Sequence, residues 1–178
     1  MSQPGSRSEE TSSVPENVQV RRATESDIAR FLDLLEAVAA EGRWIATESP
    51  VERELRAKRI QATLARDDSA VFVAVAGDAL IGQLGMYTQF PGLYEIGMLV
   101  DPTWRSKGIG SRLLEAAIAW ARSVGAHKIS LDVFPHNTAA IALYEKFGFV
   151  REGDHPKHLR RKTGEIWDVI SMGLVLAS

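Results

Sequence analysis

The sequence contains no cysteine among its 178 residues. Disulfide bonds, thiolate metal sites and a cysteine nucleophile are therefore excluded, and the composition suits a reducing compartment such as the cytoplasm. An excess of one charge is lacking as well, because 21 basic and 23 acidic side chains leave a formal net charge of -2. This balance gives no electrostatic reason to expect a nucleic-acid or membrane partner.

Long apolar runs are also missing. No stretch approaches the roughly 18 apolar residues that a membrane-spanning helix requires. The first 17 residues are rich in Ser, Glu, Pro and Gly, and they lack the apolar segment of about 7–15 residues found in a signal peptide. We therefore predict a disordered tail over residues 1–17 and one folded domain over residues 18–178, located in the cytoplasm.

Hydrophobic periodicity predicts eleven elements in the order β-α-α-β-β-β-α-β-α-β-β. Apolar alternation predicts strands at 18–22, 70–76, 80–87, 93–100 and 129–133, and two more between residues 149 and 176. Helical spacing predicts helices from Ile28 to just before Gly42, from Ser49 to about Arg66, and over 108–124 and 137–146. The fold class is α/β (α+β): one domain with a mixed sheet of six or seven strands and about four helices. The strand–helix–strand unit at 93–133 should be a right-handed crossover with parallel strands.

Residues 98–114 carry the clearest chemical signal. A buried strand ends at Val100, and a loop containing Gly108 and Gly110 then opens a long amphipathic helix. The first amides of a helix lack intrahelical partners and the helix dipole favours an anion there, so this pattern predicts a phosphate site. Nearby cations strengthen the prediction; they are Arg105, Lys107 and Arg112. The alternative is that the two glycines only permit tight packing.

Two motifs identify a family. Residues 105–110, RSKGIG, match the pattern [QR]-x-x-G-x-[GA], and residues 137–149, NTAAIALYEKFGF, match N-x-x-A-x-x-[LF]-Y-x-K-x-G-F. With both motifs in this order, the sequence resembles the GNAT acetyltransferase superfamily over residues 18–176. The Walker pattern is absent, and the dinucleotide pattern G-x-G-x-x-G fails at Leu113.

The resemblance implies acetyl-CoA as the acetyl donor. Main-chain groups of Leu99 and Val100 would pair with the pantetheine arm, where a bulge near Gly97 parts two parallel strands. In the second motif, Asn137 would contact the cofactor or shape the helix start near it, and Lys146 would also contact the cofactor. The pyrophosphate would rest on the loop and helix start, which comprise Arg105, Ser106, Lys107, Gly108, Ile109, Gly110 and Ser111.

The resemblance also implies direct attack of a primary amine on the thioester in a ternary complex. Tyr144 matches the general acid of the family, although an aromatic at this position can also pack the short helix onto the sheet. Glu95 is the candidate general base, direct or through water: it lies in an apolar strand, where an unpaired buried carboxylate is costly, and at a place where several family members carry a catalytic glutamate. Its alternative is a solvent-facing surface glutamate.

The resemblance implies that the acceptor site is built partly from the segment between the first two helices, residues 41–48, and from the last hairpin, residues 155–167. There Trp44 could form an apolar wall, and Glu41, Glu48 or Asp168 could hold an ammonium group; a lid-like loop anchored by Trp44 is the alternative. The basic run at 157–162 suits a solvated hairpin or an anion site, and no metal site is predicted. Beside acetylation of a small-molecule or peptide amine, a non-catalytic acyl-CoA sensor and a protein (lysine or N-terminal) acetyltransferase stay open, as does a homodimer.

Overall fold

The computed structural model describes residues 17–176. The predicted tail, apart from Asn17, and the last two residues lie outside the described residues. The strands are β1 Val18–Arg22, β2 Ala70–Ala76, β3 Ala79–Phe90, β4 Leu93–Val100, β5 Lys128–Val133, β6 Val150–Arg160 and β7 Ile166–Val175. The α-helices are α1 Ile28–Ala40, α2 Arg53–Leu64, α3 Ile109–Ser123 and α4 Thr138–Lys146.

The strands form one seven-stranded sheet in the order β1-β2-β3-β4-β5-β7-β6. All neighbouring strands are antiparallel except β4 and β5, which α3 connects as a parallel pair. This architecture confirms the predicted mixed sheet with four helices. The parallel pair lies in the middle of the sheet, so both of its faces can be covered by helices.

Helices cover both faces of the sheet and create two cores. On one face α3 and α4 bury the larger cluster, which includes Leu113, Leu114 and Tyr144. On the other face α1 buries a smaller cluster around Leu35 and Val38, and α2 contributes partly buried side chains to it. Strand β4 supplies both clusters because successive side chains point to opposite faces.

The start of α2 differs from the prediction. Ser49 and Pro50 do not open the helix: the Ser49–Pro50 peptide bond is cis, and α2 begins at Arg53. Glu36 of α1 binds this segment instead, because its carboxylate accepts the Ser49 hydroxyl at 2.5 Å and the Val51 amide at 2.7 Å. A tertiary contact has therefore replaced the local cap.

The start of α1 agrees with the sequence. Asp27 accepts the Thr24 amide at 2.8 Å in a capping box that precedes the helix. The same carboxylate is 1% exposed, receives two bonds from the Arg21 guanidinium at 2.7 and 2.9 Å, and pairs with Arg30 at 2.9 Å. These partners place the pKa of the Asp27 carboxyl far below its usual range, chiefly through the Arg21 hydrogen bond. The junction of β1 and α1 is thus held by a buried, fully paired charge.

Candidate active site

The parallel strands β4 and β5 part halfway along their length. Their ladder contains three residue pairs and ends where Glu95 faces Ser130. Beyond this point β4 continues to Val100 and β5 to Val133, and β5 stays paired with β7 along its whole length. The facing edges of the two strands are therefore open beyond Glu95, which gives the sheet a wedge-shaped gap.

Strand β4 has no bulge at Gly97. Its register with β3 runs without a shift from Val100 back to Tyr94, so the predicted bulge at Gly97 is wrong. Side chains alternate regularly between the two clusters, with Ile96 on the α3 side and Leu99 on the α1 side. The gap therefore arises from the separation of β5 and not from an extra residue in β4.

The phase of the β3–β4 ladder shows which main-chain groups face the gap. The Asp101 amide donates to the Ile81 carbonyl at 2.9 Å. Because hydrogen-bonded pairs alternate along an antiparallel ladder, Leu99 uses its main-chain groups on Gln83 of β3. The groups of Met98 and Val100 point toward β5. Val100 therefore has its main-chain groups where the predicted pairing with pantetheine needs them. Leu99 does not, because its main-chain groups are used on β3, and Met98 replaces it in that prediction.

The loop before α3 turns sharply at two residues of positive φ, Ser106 at 59° and Gly108 at 77°. Gly108 in the left-handed region directs the chain into α3, whose first turn contains Ile109, Gly110 and Ser111. Amides of such a first turn have no intrahelical acceptor and can bind an anion. Gly110 also has a packing role, because a Cβ there would lie 2.8 Å from Leu143 of α4. The packing interpretation therefore holds for Gly110, and the anion site stays a prediction.

The three predicted cations have different partners. Arg105 forms a two-pronged pair with Glu41, at 2.8 and 2.5 Å. Lys107 is exposed, with its ammonium 5.1 Å from the centre of the Trp104 ring. Arg112 donates to the Val18 carbonyl at 2.7 Å. Arg112 therefore anchors α3 to β1 and is not one of the cations at the phosphate loop, as the sequence had predicted.

Tyr144 lies in the α3-side core, and its ring is 7% exposed. Burial raises the pKa of its hydroxyl to about 12. Within residues 17–176 no hydrogen bond involves this hydroxyl, and no fully buried side-chain polar atom in that range lacks a partner. The hydroxyl therefore keeps access to open space, while the ring packs at 5.7 Å against Phe149.

The other residues of the second motif lie around the same helix. Asn137 caps α4 through a bond from the Ala140 amide at 3.3 Å. This bond supports the role of Asn137 in shaping the helix start. Lys146 is exposed in the last turn of α4, where its charge complements the helix dipole.

Glu95 is half-buried at the end of the parallel ladder, on the α1 and α2 side of the sheet. Burial and the nearby Asp132 raise the pKa of its carboxyl, and a hydrogen bond from the Gln89 amide offsets part of this rise. On β3, Tyr87 lies directly opposite Glu95, so both side chains are on one face. Glu95 is therefore a partly desolvated carboxyl at the end of the ladder, where the gap begins.

The four predicted acceptor residues are committed to other contacts. Glu41 binds Arg105 and accepts the Trp44 indole N–H at 2.8 Å. Glu48 accepts the Lys162 amide at 3.1 Å. Asp168 accepts the Lys157 amide at 2.7 Å. None of the four lines the large cleft described below.

The basic run at 157–162 is not wholly solvated. Arg161 is 4% exposed, and it donates to the carbonyls of Ile45 and Ala46 at 3.0 and 3.2 Å. Its guanidinium also lies 4.4 Å from the centre of the Trp167 ring. Arg161 therefore clamps the loop between α1 and α2 to the last hairpin.

A cleft of about 410 Å³ opens on the α1 and α2 side of β3 and β4. Its lining comprises Phe31, Leu35, Ile45, Thr47, Arg56, Arg59, Ile60, Thr63, Val71, Gln83, Tyr87, Gly97, Met98 and Leu99. Sequence reasoning missed this site, because its polar side chains come from α2 and β3 and no local motif marks them. The only signal was the weakly amphipathic character of α2, whose arginines resemble an ordinary solvated face.

No cluster of three or more His, Asp or Glu side chains suited to a metal ion occurs between residues 17 and 176. Over the same part of the chain, none of the helices has the length and apolar character needed to cross a bilayer.

The chain is similar to known proteins in both sequence and fold. Residues 32–149 match the model of the acetyltransferase (GNAT) family. The L-methionine sulfoximine/L-methionine sulfone acetyltransferase of Pseudomonas aeruginosa is 29% identical, over 90% of this chain and 95% of that protein. Mycothiol acetyltransferase of Geodermatophilus obscurus is 30% identical over 78% of this chain, which spans only 46% of that protein's length.

Solved structures agree on the fold. A GNAT superfamily phosphinothricin acetyltransferase from Sinorhizobium meliloti, solved in complex with acetyl-CoA, superposes with a TM-score of 0.81 at 20% identity. The superposition covers 90% of this chain and 89% of that one. Since the family match spans most of the chain and includes both motifs, the chain belongs to the acetyltransferase (GNAT) family and is an acetyl-CoA-dependent N-acetyltransferase.

Proposed function

We propose that this protein transfers the acetyl group of acetyl-CoA to the primary amine of a small molecule, by direct attack in a ternary complex. The observation that carries the proposal is the gap between β4 and β5 beyond Glu95, next to a helix start with free amides. Met98 and Val100 would bind the amide-bearing pantetheine arm as a short additional strand. Residues 106–111 would hold the diphosphate.

Two side chains would move protons. Glu95 would accept the proton of the ammonium group, directly or through water, because an alkyl amine is mostly protonated at neutral pH. Tyr144 would donate its proton to the departing thiolate, and the second proton that the nitrogen loses as the amide forms would restore the Tyr144 hydroxyl. A hydroxyl with a pKa of about 12 keeps its proton at neutral pH and so is available as a donor. The thioester supplies a leaving group with a pKa near 8.5, which benefits from that donor.

The small-molecule acceptor is supported by the cleft of about 410 Å³ near Glu95 and by the Pseudomonas aeruginosa relative, which is named for L-methionine sulfoximine and L-methionine sulfone. A homodimer and a cytoplasmic location stay predictions from the sequence.

Thiol release from acetyl-CoA, measured with a panel of amino acids, polyamines, aminoglycosides and peptides, tests the proposal. We expect amine-dependent release with at least one small molecule. Acetyl-CoA binding without release on any amine would favour the non-catalytic sensor, and release with peptides alone would favour protein acetylation.

A further inference from the structure

The cleft beside Glu95 has a basic wall and no acidic one. Two of its lining residues, Arg56 and Arg59, are cationic, and none of the fourteen described lining residues is Asp or Glu. An apolar surface formed by Phe31, Leu35 and Ile60 occupies the same cleft. Its electrostatic character therefore favours a ligand with a negative group and an apolar portion.

Both arginines keep hydrogen-bond donors for such a ligand. Arg53, one turn earlier on α2, pairs with Asp33 at 2.8 Å. Within residues 17–176, by contrast, neither Arg56 nor Arg59 has a carboxylate oxygen within 4.0 Å. The half-buried Arg56 guanidinium makes one bond to a neutral oxygen, that of the Thr47 hydroxyl at 3.2 Å. A guanidinium has five N–H donors and binds a carboxylate in two-pronged fashion.

The basic wall and Glu95 face the same region. Tyr87 lines the cleft opposite Glu95; burial raises the pKa of its hydroxyl, the charge of Arg56 lowers it and the charge of Glu95 raises it. Gly97, another lining residue, is two positions from Glu95 on the same face of β4, a separation of about 7 Å. One small ligand can therefore present its amine to Glu95 and an anion to Arg56.

We propose that the acceptor is an amino acid with an apolar side chain, whose carboxylate binds Arg56 with support from Arg59. This inference rests on the proposed function, because it concerns the substrate of the same acetyl transfer. Arg56 is then a specificity-determining residue, and Phe31, Leu35 and Ile60 receive the side chain.

The test compares L-methionine, L-methioninamide and 3-(methylthio)propylamine, which differ in the carboxylate. We expect Arg56→Ala to lower kcat/KM for L-methionine about 10–100-fold, the range for loss of a charge-assisted hydrogen bond. For the other two amines, kcat/KM should change less than about threefold. Dividing variant by wild type for each amine cancels their different basicities. Arg56→Lys should recover part of the loss, and Arg59→Ala should have a smaller effect.

Arg53→Ala is the matched control, since Arg53 is on the same helix but pairs with Asp33 at the surface; it should leave all three rates unchanged. Calorimetry with N-acetyl-L-methionine and N-acetyl-L-methioninamide gives a second readout. Arg56→Ala should weaken the binding of N-acetyl-L-methionine, which has the carboxylate, and leave that of the amide unchanged. An equal loss for all three amines, or none for L-methionine, would overturn the inference while acetyl transfer stands. If no amine of the wider panel releases thiol, the proposed function fails and this inference falls with it.

Discussion

Glu95 of β4 and Ser130 of β5 form the last pair of the parallel ladder, so the Glu95 carboxyl lies where the two strands separate. A base at this position would meet an amine that approaches from the α2 side and a thioester that enters from the gap. This position at the end of the ladder distinguishes Glu95 from a glutamate on the solvent-facing surface.

Glu95→Gln should lower kcat/KM about 10²-fold, because the amide cannot accept the ammonium proton. With Glu95 as the proposed base, activity should require the unprotonated carboxylate, whose pKa is raised by burial and by Asp132. The rate should therefore fall as the pH falls through a value above the usual range of a glutamate.

Two variants should shift the acidic limb of the pH profile of kcat/KM in opposite directions. Asp132→Asn removes a charge that raises the pKa of Glu95, so the limb should move to lower pH. Gln89→Ala removes a bond that lowers the same pKa, so the limb should move to higher pH. Profiles of kcat/KM against pH measure both shifts, and a limb that stays fixed in both variants would remove Glu95 as the base.

Tyr144→Phe should lower kcat about 10²–10⁴-fold, because the departing thiolate loses its proton donor. The ring still packs against Phe149, so the melting temperature should change little. Tyr94→Phe is the matched control: Tyr94 is equally buried, in an edge contact with Trp120 at 5.2 Å. Steady-state kinetics should separate the two variants, and a fully active Tyr144→Phe enzyme would exclude the acid role.

Local patterns in the sequence predicted most of the fold. The bounds of β1, β2 and β4 agree with the structure, because each strand has an apolar pattern bounded by turn residues. The cap of α4 at Asn137 and the box at Thr24 were also predictable, since each involves residues three apart. The start of α2 was not, because Ser49 bonds to Glu36, thirteen residues away.

The acceptor side of the site was harder to predict for the same reason. Glu41 pairs with Arg105 across 64 residues, and Glu48 with Lys162 across 114. No pattern within one segment indicates that these carboxylates are already used. Conversely, Arg56 lies in a helix with many charged residues, and only the tertiary structure shows that it lines a cleft without an acidic partner.

Asp27→Asn should reduce the free energy of unfolding at pH 7 by about 2–4 kcal/mol, because Arg21 and Arg30 lose a buried ionic partner. Asp33→Asn, which breaks an exposed pair with Arg53, is the control and should change it by about 0–1 kcal/mol. Urea unfolding measures both values.

The pH dependence of the Asp27 effect has a definite sign. The folded-state pKa of this carboxyl is lowered, so its stabilising contribution is fully present above the unfolded pKa of about 3.9. That contribution is lost as the pH falls through the folded value. The free energies of unfolding of wild type and Asp27→Asn should therefore converge below about pH 4. A constant difference between pH 7 and pH 3 would contradict the assignment.

Gly108→Ala tests the anion site at the start of α3. Gly108 has a φ of 77°, so alanine there should cost about 1 kcal/mol of stability. The proposed diphosphate site uses the main-chain amides around Gly108, so acetyl-CoA affinity should also fall, by about tenfold or more, when this turn is strained. Gly125 at the other end of α3 has a similar φ of 73° and open space around it. Gly125→Ala should therefore lose the same stability and keep its affinity, as measured by calorimetry with acetyl-CoA. Equal affinity in the two variants would place the diphosphate elsewhere.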